Sequence, residues 1–213
     1  MSSKRRLEGL YAITPDGLGE DELARRVEAV LAGGARLVQF RDKKLGPAQR
    51  ERRSRSLHGL CKRFGVPLIV NDDLELALRI GADGVHLGRD DGDVALARRA
   101  LGSERILGLS CYNEIERALA AMAAGADYVA FGSVFPSLTK PSAARATTGL
   151  LRHARDRLSI PIAAIGGITA ENAPEVIAAG ANLLAVISDV FDAADIRGRA
   201  EQYARLFGQW NTM

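Results

Sequence analysis

The sequence contains 213 residues, of which 47% are hydrophobic and 26% charged, with a formal net charge of +3 at pH 7. This composition is typical of a soluble globular domain. It excludes a disordered chain and a membrane bundle, and the small charge gives no reason to expect nucleic-acid binding. Two cysteines without a disulfide or metal-binding spacing, and no apolar run long enough for a signal peptide or membrane helix, lead us to expect a cytoplasmic protein without a membrane partner.

A short phrase, Gly-Ala followed by apolar residues, recurs four times along the chain, beginning at Gly34, Gly81, Gly125 and Gly180. Each copy follows a stretch with helical periodicity. Its glycine is therefore expected just after a helix, in a left-handed conformation, and its apolar residues are expected to form a strand. Further apolar runs, at residues 10–14, 66–71, 106–110 and 161–165, alternate with these copies. The sequence thus predicts eight strands.

Each predicted strand is followed by a predicted helix. The helices cover residues 20–31, 48–63, 74–80, 94–100, 114–124, 149–157, 171–179 and 195–206. Strict alternation indicates a parallel sheet, because parallel neighbours need a crossover connection. Eight such units close most naturally into an α/β fold, a single-domain (β/α)8 TIM barrel over residues 1–213. An open doubly wound sheet is the alternative, but residues 12–17 lack its Gly-x-Gly-x-x-Gly motif.

Two aspartates end neighbouring predicted strands. In a parallel barrel the carboxyl ends of all strands meet at one mouth, so Asp72 and Asp91 should lie close together. A pair of carboxylates suits Mg²⁺, which completes its coordination with water and phosphate oxygens. The alternative is that Asp73 or Asp91 caps the following helix, and capping is the preferred interpretation for Asp73.

Three cations, Arg41, Lys43 and Lys140, are expected to face the acidic pair across the mouth. Arginine binds phosphate through two parallel hydrogen bonds and lysine adds a mobile point charge, so three cations beside a magnesium site fit a diphosphate. The alternative is that Lys43 and Lys140 are ordinary surface lysines.

A second phosphate site is predicted after strands seven and eight. Gly166 and Gly167 follow strand seven, and Ile187 and Ser188 end strand eight. Barrels often bind a phosphate monoester between these two loops, where backbone N–H groups approach the oxygens.

Histidine contributes little to the predicted chemistry. His86 is the histidine that falls on a predicted strand near the mouth. No His/Cys set has a zinc spacing and no Ser-His-Asp order is apparent, so we interpret His86 as a packing or polar lining residue rather than a base. Cys111, with no positioned base, is interpreted as a small buried hydrophobe.

Seven segments of the chain together resemble the thiamine-phosphate synthase family. They are LYAIT at 10–14, VQFRDK at 38–43, VNDD at 70–73, GVHLG at 84–88, PSLTK at 136–140, IGGIT at 165–169 and VIS at 186–188. Each segment alone is unspecific, but all seven occur in the family's order and at its spacing over almost the whole chain. Ser137, where the family often has threonine, and the stretch 142–145 depart from the commonest pattern.

The resemblance implies a Mg²⁺-dependent transferase. Such an enzyme joins 4-amino-2-methyl-5-(diphosphooxymethyl)pyrimidine to a thiazole phosphate, carboxylated in many bacteria, and releases diphosphate. By motif position, the residues implied to hold the pyrimidine diphosphate are Gln39, Phe40, Arg41, Asp42, Lys43, Asn71, Ser110 and Lys140. The residues implied to hold the thiazole phosphate are Ser137, Thr139, Gly167, Ile187 and Ser188. Asp72 and Asp91 would bind magnesium, while Arg41, Lys43 and Lys140 would stabilise the departing charge.

Two other functions stay open at this point. A thiazole tautomerase shares the barrel and a similar thiazole site but has no need of residues that bind diphosphate. A barrel that binds a phosphorylated ligand without catalysis is the other possibility, because this fold hosts many functions. The expected partners are the two small-molecule substrates, with a homo-oligomer as a further possibility.

Overall fold

The computed structural model describes residues 7–136 and 145–210, in which strands and helices alternate. The strands are β1 (Gly9–Ile13), β2 (Leu37–Phe40), β3 (Leu68–Asn71), β4 (Gly84–Leu87), β5 (Ile106–Tyr112), β6 (Tyr128–Gly132), β7 (Ile162–Ile165) and β8 (Leu183–Val186). The helices are α1 (Glu20–Ala32), α2 (Pro47–Arg63), α3 (Leu74–Ile80), α4 (Val94–Leu101), α5 (Ile115–Ala123), α6 (Thr148–Arg157), α7 (Ala173–Ala178), α8 (Ser188–Phe191) and α9 (Ile196–Trp210).

The eight strands form a closed parallel barrel. Each strand pairs with the next in the chain, and β8 returns to pair with β1 through residues such as Tyr11 and Ala185. The predicted (β/α)8 fold is therefore confirmed, and the open doubly wound sheet is excluded. Within the described residues, no helix combines the length and apolar character needed to cross a membrane.

Two buried layers follow from the alternation of side chains along the strands. Residues such as Tyr11, Leu37 and Tyr128 point into the barrel, where they pack on one another. Their chain neighbours, such as Val38 and Val129, point outwards and pack beneath the helices. A period of two thus separates the barrel interior from the helix–sheet core.

Local signals place the helix ends. The glycines of the four repeated phrases, at 34, 81, 125 and 180, all have positive φ, from 68° to 109°, as predicted. Side chains cap the start of four of the described helices: Asp73 accepts from the N–H of Leu76, Asp93 from that of Leu96, Thr147 from that of Leu150, and Asp195 from that of Gly198.

Several element ends differ from the prediction, and α9, for example, runs to Trp210 rather than to residue 206. β5 continues to Tyr112, two residues beyond the predicted end, across a register shift between Ser110 and Tyr112 where Tyr112 has φ 54°. Ser188, predicted at the end of strand eight, instead begins the four-residue helix α8. Such a short helix has too little periodicity to be recognised in the sequence.

Candidate active site

The carboxyl ends of the strands open on one face of the barrel, because every neighbouring pair is parallel. Polar side chains lie at this face on the four successive strands β2 to β5, and others follow directly after the ends of strands. They are Gln39, Arg41, Asn71, Asp72, His86, Ser110, Ser133 and Ser188. The topology therefore brings residues from distant parts of the chain to one mouth.

Asp72 and Asp91 meet at this mouth. The backbone of Asp72 has φ 61°, a left-handed conformation, and its N–H donates to the carbonyl of His86 at 2.8 Å. Asp91 accepts from the N–H of Gly88 at 2.7 Å. Burial raises the pKa of Asp91, and so does its hydrogen bond with the Asp72 carboxylate. Two carboxylates this close repel each other, and a bound cation would relieve that repulsion.

The neighbouring aspartates Asp73 and Asp93 have a different role. Asp73 caps α3, as preferred from the sequence, and also forms an ion pair with Arg50. The cap of α4 is Asp93, so the alternative that Asp91 caps this helix is wrong. Asp91 lies two residues before that cap, and its carboxylate turns back to Gly88 instead.

The loop after β2 carries two of the predicted cations. Lys43 Nζ lies 3.5 Å from Asp72 Oδ2, and the Lys43 side chain is 57% exposed. Arg41 instead pairs with Asp16, its Nη1 being 2.9 Å from Asp16 Oδ2. Asp16 also accepts from the backbone N–H of Lys43 at 3.0 Å. The loop after β1 thereby holds the loop after β2, a role for Asp16 that no sequence motif indicated.

Phe40 and Asp42 alternate along the chain with Gln39, Arg41 and Lys43. They line a cavity of about 280 Å³ together with Lys43, Asn71 and Asp72. The Asp42 carboxylate accepts from the N–H of Lys44 at 2.9 Å, and its side chain is 2% exposed. Asp42 therefore shapes the loop from beneath.

The two glycines after β7 pack against the start of the loop after β6. A Cβ on Gly166 would lie 2.0 Å from Ser133 Oγ, and one on Gly167 would lie 2.3 Å from the Pro136 carbonyl oxygen. Both glycines also have positive φ, at 103° and 61°. A side chain at either position would push the two loops apart, so Gly-Gly is required here by close approach.

Residues 137–144 lie outside the described residues. This segment includes three of the predicted site residues, Ser137, Thr139 and Lys140.

The end of β8 leads directly into α8. Ile187 precedes this helix and Ser188 is its first residue, so the start of a helix, with its unpaired N–H groups, follows β8 directly. Asp189 ties α8 to the loop after β7, because its Oδ2 accepts from the N–H of Ala170 at 3.2 Å. The same oxygen accepts from the hydroxyl of Tyr203 on α9 at 2.7 Å. Asp189 and Tyr203 were not recognised in the sequence.

Two further residues that the sequence did not single out, Tyr11 and Tyr128, lie beneath the mouth. Gln39 Nε2 donates to the hydroxyl of Tyr11 at 2.5 Å, and the hydroxyls of Tyr11 and Tyr128 are 2.7 Å apart. His86 Nδ1 lies 2.9 Å from the Tyr128 hydroxyl, and His86 Nε2 lies 2.9 Å from Ser110 Oγ. A tyrosine at an inward-facing strand position is a usable signal, since a buried hydroxyl needs a partner.

Comparison with known proteins decides the family. A family model described as "Thiamine monophosphate synthase" matches residues 10–190. A thiamine-phosphate synthase of Aromatoleum aromaticum is 58% identical over 202 residues, covering 95% of this chain and 97% of that protein. One of Thioalkalivibrio sulfidiphilus is 54% identical over 203 residues, covering 95% and 96%. The solved structure of a thiamine phosphate pyrophosphorylase from Pyrococcus furiosus superimposes with a TM-score of 0.85 at 33% identity, covering 96% of this chain and 97% of that one.

This chain belongs to the thiamine monophosphate synthase family. The resemblance drawn from seven sequence segments is confirmed, as is the expected enzyme class, a transferase that forms thiamine phosphate. Several other barrels superimpose at under 25% identity, among them an orotidine 5'-phosphate decarboxylase of Pyrococcus horikoshii with a TM-score of 0.69 at 16% identity, and these show the fold alone. The assignment to the family therefore depends on the family model and on the relatives of high identity.

Proposed function

We propose that this member of the thiamine monophosphate synthase family joins 4-amino-2-methyl-5-(diphosphooxymethyl)pyrimidine to a thiazole phosphate with the help of Mg²⁺. The observation that carries the proposal is the contact between the Asp72 and Asp91 carboxylates beside Lys43 at the barrel mouth. A tautomerase or a simple phosphate binder would have no use for such a pair.

The donor set at this place fits magnesium. Two carboxylates approach each other closely enough for burial and mutual repulsion to raise the pKa of Asp91. Hard oxygen ligands and open sites for water and phosphate oxygens suit this ion, and among the described residues no cluster of three or more His, Cys, Asp or Glu side chains suggests another metal. When bound, Mg²⁺ would neutralise charge on the diphosphate.

The remaining residues of the mouth would hold the diphosphate and stabilise its departure. The C–O bond of the pyrimidine methylene breaks and its electron pair leaves with diphosphate, while the positive charge spreads into the aminopyrimidine ring. The thiazole nitrogen then forms the new C–N bond. Arg41, oriented by Asp16, and the exposed Lys43 would meet the developing negative charge.

The second substrate would bind on the other side of the mouth. We assign its phosphate to the space between Gly167 and the start of α8 at Ile187 and Ser188, where backbone N–H groups would bind the phosphate oxygens. We also assign Ser137, Thr139 and Lys140 to the substrates, by motif position. For Lys140→Ala we expect a rate loss of about 10²–10³, the usual effect of removing one donor aimed at developing charge.

The test is an assay with both substrates, with Mg²⁺ and with the ion removed by a chelator. We expect thiamine phosphate and diphosphate in equal amounts, with turnover lost on chelation and restored by added Mg²⁺. Isomerisation of the thiazole alone would indicate a tautomerase, and binding of a phosphorylated ligand without turnover would indicate a non-catalytic barrel. Sedimentation of the purified protein would decide whether the chain forms a homo-oligomer.

A further inference from the structure

A continuous chain of polar side chains crosses the barrel interior beneath the mouth. It consists of Gln39, Tyr11, Tyr128, His86 and Ser110, and we call these five residues the relay. Successive members are 2.5, 2.7, 2.9 and 2.9 Å apart, and they come from five different strands. The rings also pack on one another, with His86 stacked on Tyr128 at 5.6 Å between centroids.

The barrel is built to admit this relay. A Cβ on Gly108 of β5 would lie 2.0 Å from Cζ of Tyr128, so glycine is needed for the ring to lie across the strand. Tyr11 and Tyr128 are 1% and 0% exposed, and Gln39 is 2% exposed. Polar groups this deeply buried are costly unless each is hydrogen-bonded, so a relay of this kind is not incidental packing.

Each interior member of the relay carries a single transferable hydrogen. Burial raises the pKa of both tyrosine hydroxyls, so Tyr11 and Tyr128 remain neutral phenols. His86 is buried and both its ring nitrogens face hydroxyl groups rather than carboxylates, so the imidazole serves as a neutral ring with one donor and one acceptor nitrogen. The hydrogen bonds must therefore all run in one direction.

The orientation of Gln39 sets that direction. Its amide nitrogen donates to Tyr11, so the Tyr11 hydroxyl can donate to Tyr128 and the Tyr128 hydroxyl to His86 Nδ1. His86 Nε2–H then donates to Ser110 Oγ, which leaves the Ser110 hydrogen for a ligand. With Gln39 in this orientation, reversal would leave the Tyr11 hydrogen without an acceptor in the relay. A complete reversal requires the Gln39 amide to turn over.

We propose that the relay selects a 4-aminopyrimidine over a 4-oxopyrimidine by presenting the Gln39 oxygen as an acceptor and the Ser110 hydroxyl as a donor. This inference rests on the proposed function, since it names how the same site recognises its pyrimidine. An aminopyrimidine offers an amine donor and ring-nitrogen acceptors, which match this polarity. A 4-oxo ring offers a carbonyl acceptor and a protonated ring nitrogen, which match the reversed relay. Tyr11, Tyr128 and His86 thus act as positioning residues.

The first test replaces Tyr128 by phenylalanine, which interrupts the relay without altering Gln39 or Ser110. The value of kcat/KM is measured for the 4-amino substrate and for its 4-oxo counterpart, and the ratio of the two is compared with that of the wild type. This comparison cancels the different intrinsic reactivity of the two rings. We expect the ratio to fall about tenfold, the worth of one hydrogen bond.

The matched control is Tyr203→Phe, since Tyr203 is an equally buried tyrosine whose hydroxyl bonds to Asp189 outside the relay. This variant should keep the wild-type ratio. Tyr11→Phe interrupts the relay at another point and serves where Tyr128→Phe does not fold. An unchanged ratio in whichever of these two variants folds would overturn the inference.

The second test needs no turnover. The ¹⁵N chemical shifts of the His86 imidazole distinguish the two tautomers, and His86→Gln identifies the signals among the three histidines. We expect the hydrogen on Nε2, and a hydrogen on Nδ1 would overturn the inference. If the wild type makes no product from either pyrimidine, the proposed function fails, while the tautomer still decides the direction of the relay.

Discussion

Asp91 and Asp93 are two residues apart in the sequence but have different roles. Asp91 meets the Asp72 carboxylate at the barrel mouth, whereas Asp93 accepts from the N–H of Leu96 at the start of α4. The backbone of Asp72 adopts a left-handed conformation, which is uncommon outside glycine and concentrates at functional sites. The role of each aspartate in this region therefore depends on the groups that its own side chain contacts, not on the number of acidic residues nearby.

Replacement of Asp91 by asparagine should lower turnover by about 10²–10³ and raise the Mg²⁺ concentration needed for half-maximal rate, because one charged ligand is lost. Steady-state rates over a Mg²⁺ titration measure both effects. Asp93→Asn is the matched control, since asparagine caps helices as well as aspartate does. Equal Mg²⁺ dependence in the two variants would remove Asp91 from the metal site.

His86 should make the folded protein sensitive to acid. Its folded-state pKa is about 4, below the ordinary value of 6.5, so the folded form resists the proton that the unfolded form accepts. Stability from this group is fully present above pH 6.5 and is lost as the pH falls towards 4, by up to about 3 kcal/mol. Unfolding in urea at pH 7 and pH 5 should show a smaller loss for His86→Gln than for the wild type. Parallel losses in the two proteins would contradict this account.

At the scale of residues, the sequence predicts polar side chains at strand ends but not their partners. Asp73 was correctly interpreted as a helix cap, because capping depends on neighbours in the chain. The pairing of Arg41 with Asp16 and the burial of Asp42 depend on contacts between separate loops, which local patterns do not encode. Tyr11 and Tyr128 were overlooked because each lies in an otherwise apolar strand.

Among the elements, the short helix α8 connects the barrel to the outer layer. Asp189 of α8 accepts from Ala170 in the loop after β7 and from Tyr203 of α9. Arg199 of α9 lies 3.7 Å from the same carboxylate oxygen. These contacts fix the spacing between α8 and Gly167, the two sides of the proposed thiazole phosphate site.

Tyr203→Phe should therefore raise KM for the thiazole phosphate several-fold while changing kcat and the KM of the pyrimidine diphosphate much less. The lost hydrogen bond loosens the phosphate-binding loops but touches no reacting group. Initial rates with each substrate varied in turn provide the measurement. Asp192→Asn, an exposed substitution just after α8, should leave both KM values at the wild-type level. A uniform fall in kcat with Tyr203→Phe would indicate a general loss of structure instead.

The glycine that ends α3 offers a test of helix termination. Gly81 has φ 68°, and a Cβ there would meet no atom within 4 Å, so alanine carries only a conformational cost. Gly81→Ala should destabilise the protein by about 1 kcal/mol. Gly59 lies inside α2 with similarly open surroundings, and Gly59→Ala should stabilise it by roughly 0.5–1 kcal/mol. Urea unfolding of both variants gives the two values, and a change of the same sign in both would contradict this account.

The element boundaries were predictable where a local signal marks them. The predicted and observed bounds of α3 coincide, because Asp73 and Gly81 mark its start and end. β5 was predicted too short, since its last residues depend on an irregular pairing with β6. α8 was missed because four residues bear no helical period.

At the scale of the whole molecule, the parallel barrel brings residues that are far apart in the sequence together at one face. Strict alternation of strands and helices was sufficient to predict the closed barrel, since each crossover returns the chain to the same end of the sheet. The same topology predicted that strand-end residues would converge. It could not predict the distances among them, which depend on loop packing such as that of Gly166 against Ser133.

We propose that Asp72 and Asp91 jointly hold a divalent cation against the diphosphate. A crystal structure of the protein with Mn²⁺ and the pyrimidine diphosphate tests it most directly, because anomalous scattering locates the ion. We expect one ion bonded to both carboxylates and to diphosphate oxygens, with Lys43 beside it. An ion held elsewhere, or a diphosphate bound away from these two aspartates, would show that Asp72 and Asp91 do not form the metal site.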